Sequence, residues 1–237
     1  MGFLQDNLIP IFRKRELTFR ERHQESDDVY SFLFDKPHDV QWKAGQYGLF
    51  TITHKKLKNA TKPFSVVSAP TENTVRITTV IRDGGSEFKK ALLELKPGMK
   101  VNMSGPLGPF YLKANRPTLL IAGGIGITPY RSIVKQIEAE GAEEGRQLRL
   151  LYLDGQRAHV FKDEFDRMSA ANSALSVAYL GSRDGLYQEI DRYIALHIDN
   201  GQYFVAGPKS MVDEIAVYLR DKNVSKRNIT KDAFFGY

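Results

Sequence analysis

Four short segments carry residue types and spacings that could do chemistry. The first is Gly123-Gly124-Ile125-Gly126-Ile127-Thr128-Pro129, which follows an apolar run and opens an amphipathic one. Glycines let a backbone come close to a ligand, and a helix N-terminus offers unpaired N–H groups and a partial positive charge. Thr128 fits an N-cap and Pro129 the first helical position. A pyrophosphate suits such a corner. A tight strand-to-helix turn without a ligand uses the same residues, and the full G-x-G-x-x-G fingerprint is absent. The second segment, Gly207-Pro208-Lys209-Ser210-Met211, is another strand-to-helix turn, at the kind of strand end where open α/β sheets bind ligands.

The third segment is Thr61-Lys62-Pro63-Phe64-Ser65-Val66-Val67-Ser68. Pro63 fixes its own φ and biases Lys62 towards extended backbone. In an extended chain Lys62 and Phe64 project to one side and Ser65 to the other. A cation, an aromatic face and a hydroxyl together suit a phosphate, a flat heterocycle and a ring nitrogen. The alternative is an edge strand with a solvated lysine and a core phenylalanine. The fourth segment, Arg82-Asp83-Gly84-Gly85-Ser86, is a glycine turn before a Ser-capped helix, either an anion site or a plain loop.

The elements that must position these segments fall into two rhythms. In the first half, residues 16–21, 29–34, 47–52, 75–81 and 100–103 are short runs, most of them β-branched and aromatic, separated by turn signals. They suit a small antiparallel β-barrel, interrupted by one short helix after Ser86 carrying Phe88, Leu92 and Leu95. The second half alternates strand and helix. Strands are expected at 119–122, 148–153, 175–180 and 202–206, with helices after Pro129 and at 160–168, 188–196 and 210–219. That rhythm calls for a parallel sheet covered on both faces. The expected fold is therefore two domains: an N-terminal antiparallel β-barrel, 1–112, and an α/β parallel-sheet nucleotide-binding domain, 113–237.

Composition removes several classes. The chain has no cysteine, which excludes disulfides, thiolate zinc sites and a Cys-ligated iron–sulfur cluster within it. No apolar run approaches the roughly 20 residues of a membrane helix. The N-terminus lacks the basic and apolar regions of a secretory signal, and the expected location is cytoplasmic. Apolar residues between Phe3 and Phe12, ahead of Arg13-Lys14-Arg15, read as an arm packed on the protein's own body rather than a membrane-surface anchor. Net charge is +6, but the charges are scattered and no basic, aromatic-studded helix marks a nucleic-acid surface. A diffuse positive surface is the plain reading of that balance, and an acidic electron-carrier partner the sharper one.

The four segments stand in an order that resembles the ferredoxin–NADP reductase superfamily along nearly the whole chain. Lys62-Pro63-Phe64-Ser65 is similar to its Arg-x-Tyr-Ser flavin motif, and Ala44-Gly45-Gln46-Tyr47 to the element before it. Gly84-Gly85-Ser86, Gly105-Pro106-Leu107-Gly108-Pro109-Phe110, Gly124 to Pro129, and Gly207-Pro208 with Met211 follow in the family's order. Phe234-Phe235-Gly236-Tyr237 resembles the ending of flavohaemoglobin reductase domains.

The resemblance implies a flavin-dependent reductase that takes hydride from NADPH or NADH and passes electrons to a separate acceptor. That acceptor would be a ferredoxin, a flavodoxin, an oxygenase component, ferric iron or free flavin. Tyr47 would lie in the flavin site, Lys62 would meet flavin phosphate, Phe64 would stack on the isoalloxazine, and Ser65 would hydrogen-bond its N5. The backbone of Val80, Ile81 and Arg82, with Gly84, Gly85 and Ser86, would hold the rest of an FAD, with FMN the less favoured flavin. Thr128 would sit between flavin and nicotinamide, and Phe235 would cover the ring. Gly124, Gly126, Ile127, Pro129, Gly207, Pro208 and Met211 would form the dinucleotide site. Ser182-Arg183, or Arg157, would take a 2′-phosphate, which leans the expectation to NADPH; solvated loop charges are the alternative there. Lys62 for Arg, Phe64 for Tyr, Ala206 for Cys and Ala233 for Glu depart from the family pattern. Two other readings are the soluble end of a membrane ferric reductase or NADPH oxidase, and a flavin-binding regulatory subunit without turnover.

Overall fold

The computed structural model describes residues 13–113, 115–141, 145–156, 159–198 and 200–234. By its contacts the chain divides into two compact units, Met1–Tyr111 and Leu112–Tyr237.

The first unit is built on six antiparallel strands: β1 (Lys14–Ser26), β2 (Val29–Asp35), β3 (Tyr47–Ile52), β4 (Thr61–Ser65), β5 (Thr74–Val80) and β6 (Lys100–Leu107). Their order is β4-β3-β6-β1-β2-β5. One long strand, β1, links the two halves by pairing with β6 through residues 14–18 and with β2 from Phe19 onward. The sheet curls until its two edges meet beyond β4, where Val67 N–H donates to Arg76 O at 2.8 Å. Alternating inward residues then share one core, including Leu17, Phe32, Phe34, Phe50, Ile77 and Met103. The short helix α1 (Glu87–Leu93) plugs this core with Phe88, Ala91 and Leu92.

The second unit is a parallel sheet of β7 (Thr118–Gly123), β8 (Leu148–Leu153), β9 (Leu175–Leu180), β10 (Gln202–Pro208) and β11 (Ile229–Phe234), in the order β11-β10-β7-β8-β9. Every residue of β7 is buried, as expected of a central strand covered on both faces. A 3-10 turn, Gly124–Ile127, leads into helix α2 (Thr128–Glu140); α3 (Lys162–Ala171), α4 (Arg183–His197) and α5 (Lys209–Asp221) follow. Apolar faces of α4 and α5 close over Leu119, Ile121, Leu151, Tyr203 and Val205. The intervening strand residues Leu120, Leu150 and Phe204 are equally buried and point to the opposite face, where α2 and α3 lie joined by an Arg131–Glu164 ion pair of 2.8 Å. No helix among the described residues is long and apolar enough to cross a membrane.

Several element bounds differ from expectation for local reasons. Helix α3 starts at Lys162 rather than 160, because His159 and Phe161 take positive φ (39° and 68°) in the preceding loop. Helix α4 starts at Arg183, five residues before the expected 188, because the Ser182 side chain caps it on Gly185 N–H and overrides the glycine in its first turn. Strand β11 was not expected at all.

Candidate active site

In the first unit, pairing between β3 and β4 sets Tyr47 opposite Ser65, Gly48 opposite Phe64 and Phe50 opposite Lys62. Gln46 ties this corner to the β6 end by donating to Gly108 O at 3.0 Å. A β-carbon at Gly108 would fall 2.8 Å from Tyr47 Cε1, so the Tyr47 ring lies directly on that glycine. Ser65 is 7% exposed, and its buried Oγ has no hydrogen-bond partner among the described residues. Leaving a buried hydroxyl unpaired costs about 1–3 kcal/mol, so the Ser65 Oγ is free to take a partner from outside the chain, a water or a ligand. Phe64 resolves the two alternatives as a mixture. Its ring stacks on Phe88 at 5.6 Å and meets Phe50 edge-on at 6.0 Å, so it is partly core, yet it remains half-buried. Lys62 is also half-buried.

The Arg82–Ser86 turn closes by Gly85 N–H donating to Arg82 O at 2.9 Å. Gly84 has φ +80° and open space where a side chain would be, so its backbone is accessible. Ser86 accepts from Lys89 N–H at 3.4 Å, as a helix cap. Arg82 donates to Asp28 at 2.7 Å, and the Ile81 N–H goes to Asp28 O at 2.7 Å; Val80 pairs with Val29. Sequence reasoning missed Lys89. Burial, then the neighbouring Arg82 cation, hold its ammonium below the ordinary lysine range. The positive charge of Lys89 thus lies close to that of Arg82, whose own counterion is Asp28. The only sequence signal was Lys89's place three residues after the Ser86 cap.

In the second unit, strand order reverses between β7 and β10, and the crevice at such a switch point is where open α/β sheets bind ligands. Both glycine turns converge there. A β-carbon at Gly126 would sit 2.2 Å from Ala206 O, one at Gly123 2.2 Å from Met211 Sδ, and one at Gly207 3.0 Å from Gly123 O. These glycines lock the two turns together, and at Gly126 the space for a side chain is filled by the backbone of β10. Gly124 differs: φ is +50° and nothing lies within 4 Å of a β-carbon placed there. Thr128 is not the N-cap. The 3-10 turn runs straight into α2, Thr128 has helical φ and ψ (−58° and −47°), and its hydroxyl donates back to Ile125 O at 3.0 Å. Ile127, Thr128 and Pro129 are buried, while Pro208 is half-buried beside them. Tyr130 clamps the same strands from α2 by placing its hydroxyl 3.0 Å from Ile121 O and 2.9 Å from Phe204 O.

At the outer end of this sheet, Ser182 is occupied as the α4 cap and Arg183 donates to Glu214 at 2.6 Å. Asp232 lies opposite Ala206 in β11, half-buried, and loss of solvent pushes its carboxyl up to about 6. Arg157 and Phe235 lie outside the described residues, as does the apolar arm at Phe3–Phe12. No group of three or more metal-ligating side chains is present among the described residues.

Two family models match in succession: the oxidoreductase FAD-binding domain over residues 16–111 and the oxidoreductase NAD-binding domain over residues 120–216. The toluate 1,2-dioxygenase electron transfer component of Pseudomonas putida is 30% identical over 148 residues, 59% of this chain and 44% of that protein. Flavohemoprotein A of Dictyostelium discoideum is 24% identical over 241 residues, 93% of this chain and 60% of that protein. The chain thus spans about half the length of the relatives it matches. A ferredoxin NADP+ reductase structure from Neisseria gonorrhoeae superposes with a TM-score of 0.77 at 17% identity, covering 94% of this chain and 99% of that one. The two domain matches make FAD and a nicotinamide dinucleotide the cofactors of a flavoprotein oxidoreductase. The chain belongs to the oxidoreductases that join an FAD-binding domain to an NAD-binding domain, and it has the fold of the ferredoxin–NADP reductases.

Proposed function

We propose that this chain is an electron-transfer reductase that oxidises NAD(P)H and delivers electrons to a separate, acidic redox protein. The observation that carries the reading is the buried, unpartnered Ser65 Oγ at the junction of the Tyr47, Phe64 and Gly108 contacts. A buried hydroxyl with no partner in the chain suits one ring nitrogen of a flat ligand.

FAD supplies the change from two-electron to one-electron chemistry when bound. The chain's own contribution is to bind, orient and exclude water. Phe64 and Tyr47 offer aromatic surface for the isoalloxazine, and Ser65 offers its hydroxyl. Lys62, Lys89 and Arg82 supply positive charge for the phosphates, with the open backbone at Gly84 beside the last two. In the second unit Gly124 presents accessible backbone to a dinucleotide pyrophosphate, while Gly126, Gly207 and Met211 hold the crevice in shape. Positioning of this kind accounts for rate without a side-chain acid, because the cofactors carry the reaction. Phe235 is assigned by resemblance to shield the ring.

The partner reading draws on the P. putida relative, whose name is that of an electron transfer component. The basic balance of the chain fits an acidic carrier, and Lys56 and Lys58 stand exposed on the turn between β3 and flavin strand β4.

Replacing Ser65 with alanine tests the flavin site. Loss of an unpaired buried hydroxyl should leave the flavin-free protein at least as stable as the parent. Anaerobic bleaching of bound flavin by NADH or NADPH should slow at least tenfold. An unchanged bleaching rate, or a flavin-free protein clearly destabilised, removes Ser65 from the site.

A further inference from the structure

We propose that Glu214 steers this chain towards NADH by holding Arg183 in an ion pair that a 2′-phosphate would have to break. The proposal rests on the reading that the adenosine half of the dinucleotide lies over the carboxyl ends of β8 and β9, where α4 begins.

Arg183 is the first residue of α4, directly after the Ser182 cap. By residue type and place it is the cation a 2′-phosphate would use. Its Nη1 instead donates to Glu214 Oε2 at 2.6 Å, across to α5. Glu214 is not a passive counterion that swings away with its partner. Its other oxygen accepts from the Tyr187 hydroxyl at 2.7 Å. The Tyr187 ring packs 4.5 Å from that of Tyr218, and Tyr218 donates to Asp191 at 2.7 Å. The Tyr187 hydrogen bond, ahead of the Arg183 charge, holds Glu214 below the ordinary carboxylate range, so it is ionised at neutral pH. The carboxylate is thus anchored along the α4–α5 seam whether or not Arg183 is present.

Local charge is unfavourable to a phosphate. Arg183 contributes one positive charge, while Glu214 and the adjacent Asp184 contribute two negative ones, a sum of 1 − 2 = −1. A 2′-phosphate brings further negative charge and would meet an anchored carboxylate. A ribose 2′-hydroxyl is neutral and can donate to a carboxylate, the usual way an acidic side chain selects the unphosphorylated dinucleotide. Selection here combines an attraction for one ligand with a repulsion against the other.

Calorimetric binding of NAD+ and NADP+, which differ only in the 2′-phosphate, separates the outcomes without relying on turnover. The FAD-loaded parent should bind NAD+ at least tenfold more tightly. Glu214→Gln, which keeps an acceptor for Tyr187, should tighten NADP+ about tenfold and change NAD+ less than threefold. Adding Arg183→Ala to that variant should abolish the gain. Two results overturn the proposal while leaving the site reading intact: a parent that prefers NADP+ and loses it with Arg183→Ala, or a Glu214→Gln variant that shifts both ligands equally. If Arg183→Ala and Glu214→Gln leave both affinities unchanged in normally folded protein, the adenosine half lies elsewhere and both ideas fall.

Discussion

Gly126 and Gly124 are two residues apart in the same turn, and the structure assigns them opposite sensitivities. Alanine at Gly126 would place its β-carbon 2.2 Å from Ala206 O, 2.5 Å from Ala206 C and 2.7 Å from Gly207 Cα. Close carbon–oxygen contacts lie near about 3.3 Å, so the overlap with the carbonyl is about 1 Å. All three obstacles are backbone of β10, and none can rotate away. Overpacking of a tight interior costs about 1–3 kcal/mol where side chains can yield, so a backbone obstacle belongs at about 3 kcal/mol. For a domain of this size that lowers the melting temperature by about 10 °C. Gly124→Ala meets no atom and carries only the cost of φ +50° in a residue with a β-carbon, about 1 kcal/mol, or about 3 °C. Its damage should fall on dinucleotide binding instead, because it narrows the accessible backbone. Thermal unfolding of both flavin-free variants, followed by NAD(P)+ titration of each, distinguishes the two. A Gly126→Ala protein melting within about 2 °C of the parent would refute the interlocked turns.

Three further outcomes follow from named contacts. Tyr130→Phe removes a fully buried hydroxyl shared by β7 and β10, which should cost about 1–2 kcal/mol by urea unfolding; no loss would mean the clamp is dispensable. Burial raises Asp232 to about 6, so between the unfolded carboxyl range near 3.8 and pH 6 the folded protein binds a proton that the unfolded chain has released. Stability contributed by that proton is present at low pH and lost as pH rises through this window. Asp232→Asn should therefore stabilise the protein at pH 7.5 by about 1–2 kcal/mol, allowing for the solvent that reaches a half-buried group, and by much less at pH 4. An equal effect at both pH values would contradict a desolvated carboxyl. Reduction of an acidic carrier protein should slow steeply between low and high ionic strength; a flat response would argue against electrostatic steering.

Much of the fold was legible because its strands carry their own pattern. Strands β8 and β9 begin and end where their apolar runs do; β8, inside the sheet, buries four of its six residues, while β9 at the edge is mostly half-buried. Strand β11 was hidden because Ile229-Thr230-Lys231-Asp232-Ala233-Phe234 is locally polar; it becomes a strand only by pairing with β10. The charged half of β1 beyond Glu21 was hidden for the same reason, being a bulged ribbon held by β2. At the site, glycine turns and the Lys62–Ser65 strand could be seen in sequence, but their purposes could not. That Gly126 answers to Ala206, or Arg183 to Glu214, depends on residues brought together from far along the chain.

The interlocked glycine turns also bear on how such a protein can change over time. Neither turn can move without displacing the other, so the crevice at the head of β7 and β10 is built before any dinucleotide arrives, and little ordering remains to be done on binding. Rigidity at that end makes most substitutions there costly. The Arg183–Glu214 seam between α4 and α5 is held by exposed side chains that can be exchanged singly at small expense to the fold. If Arg183 and Glu214 set the choice of dinucleotide as proposed, that choice can be altered at little cost to the fold, whereas the interlocked turns cannot.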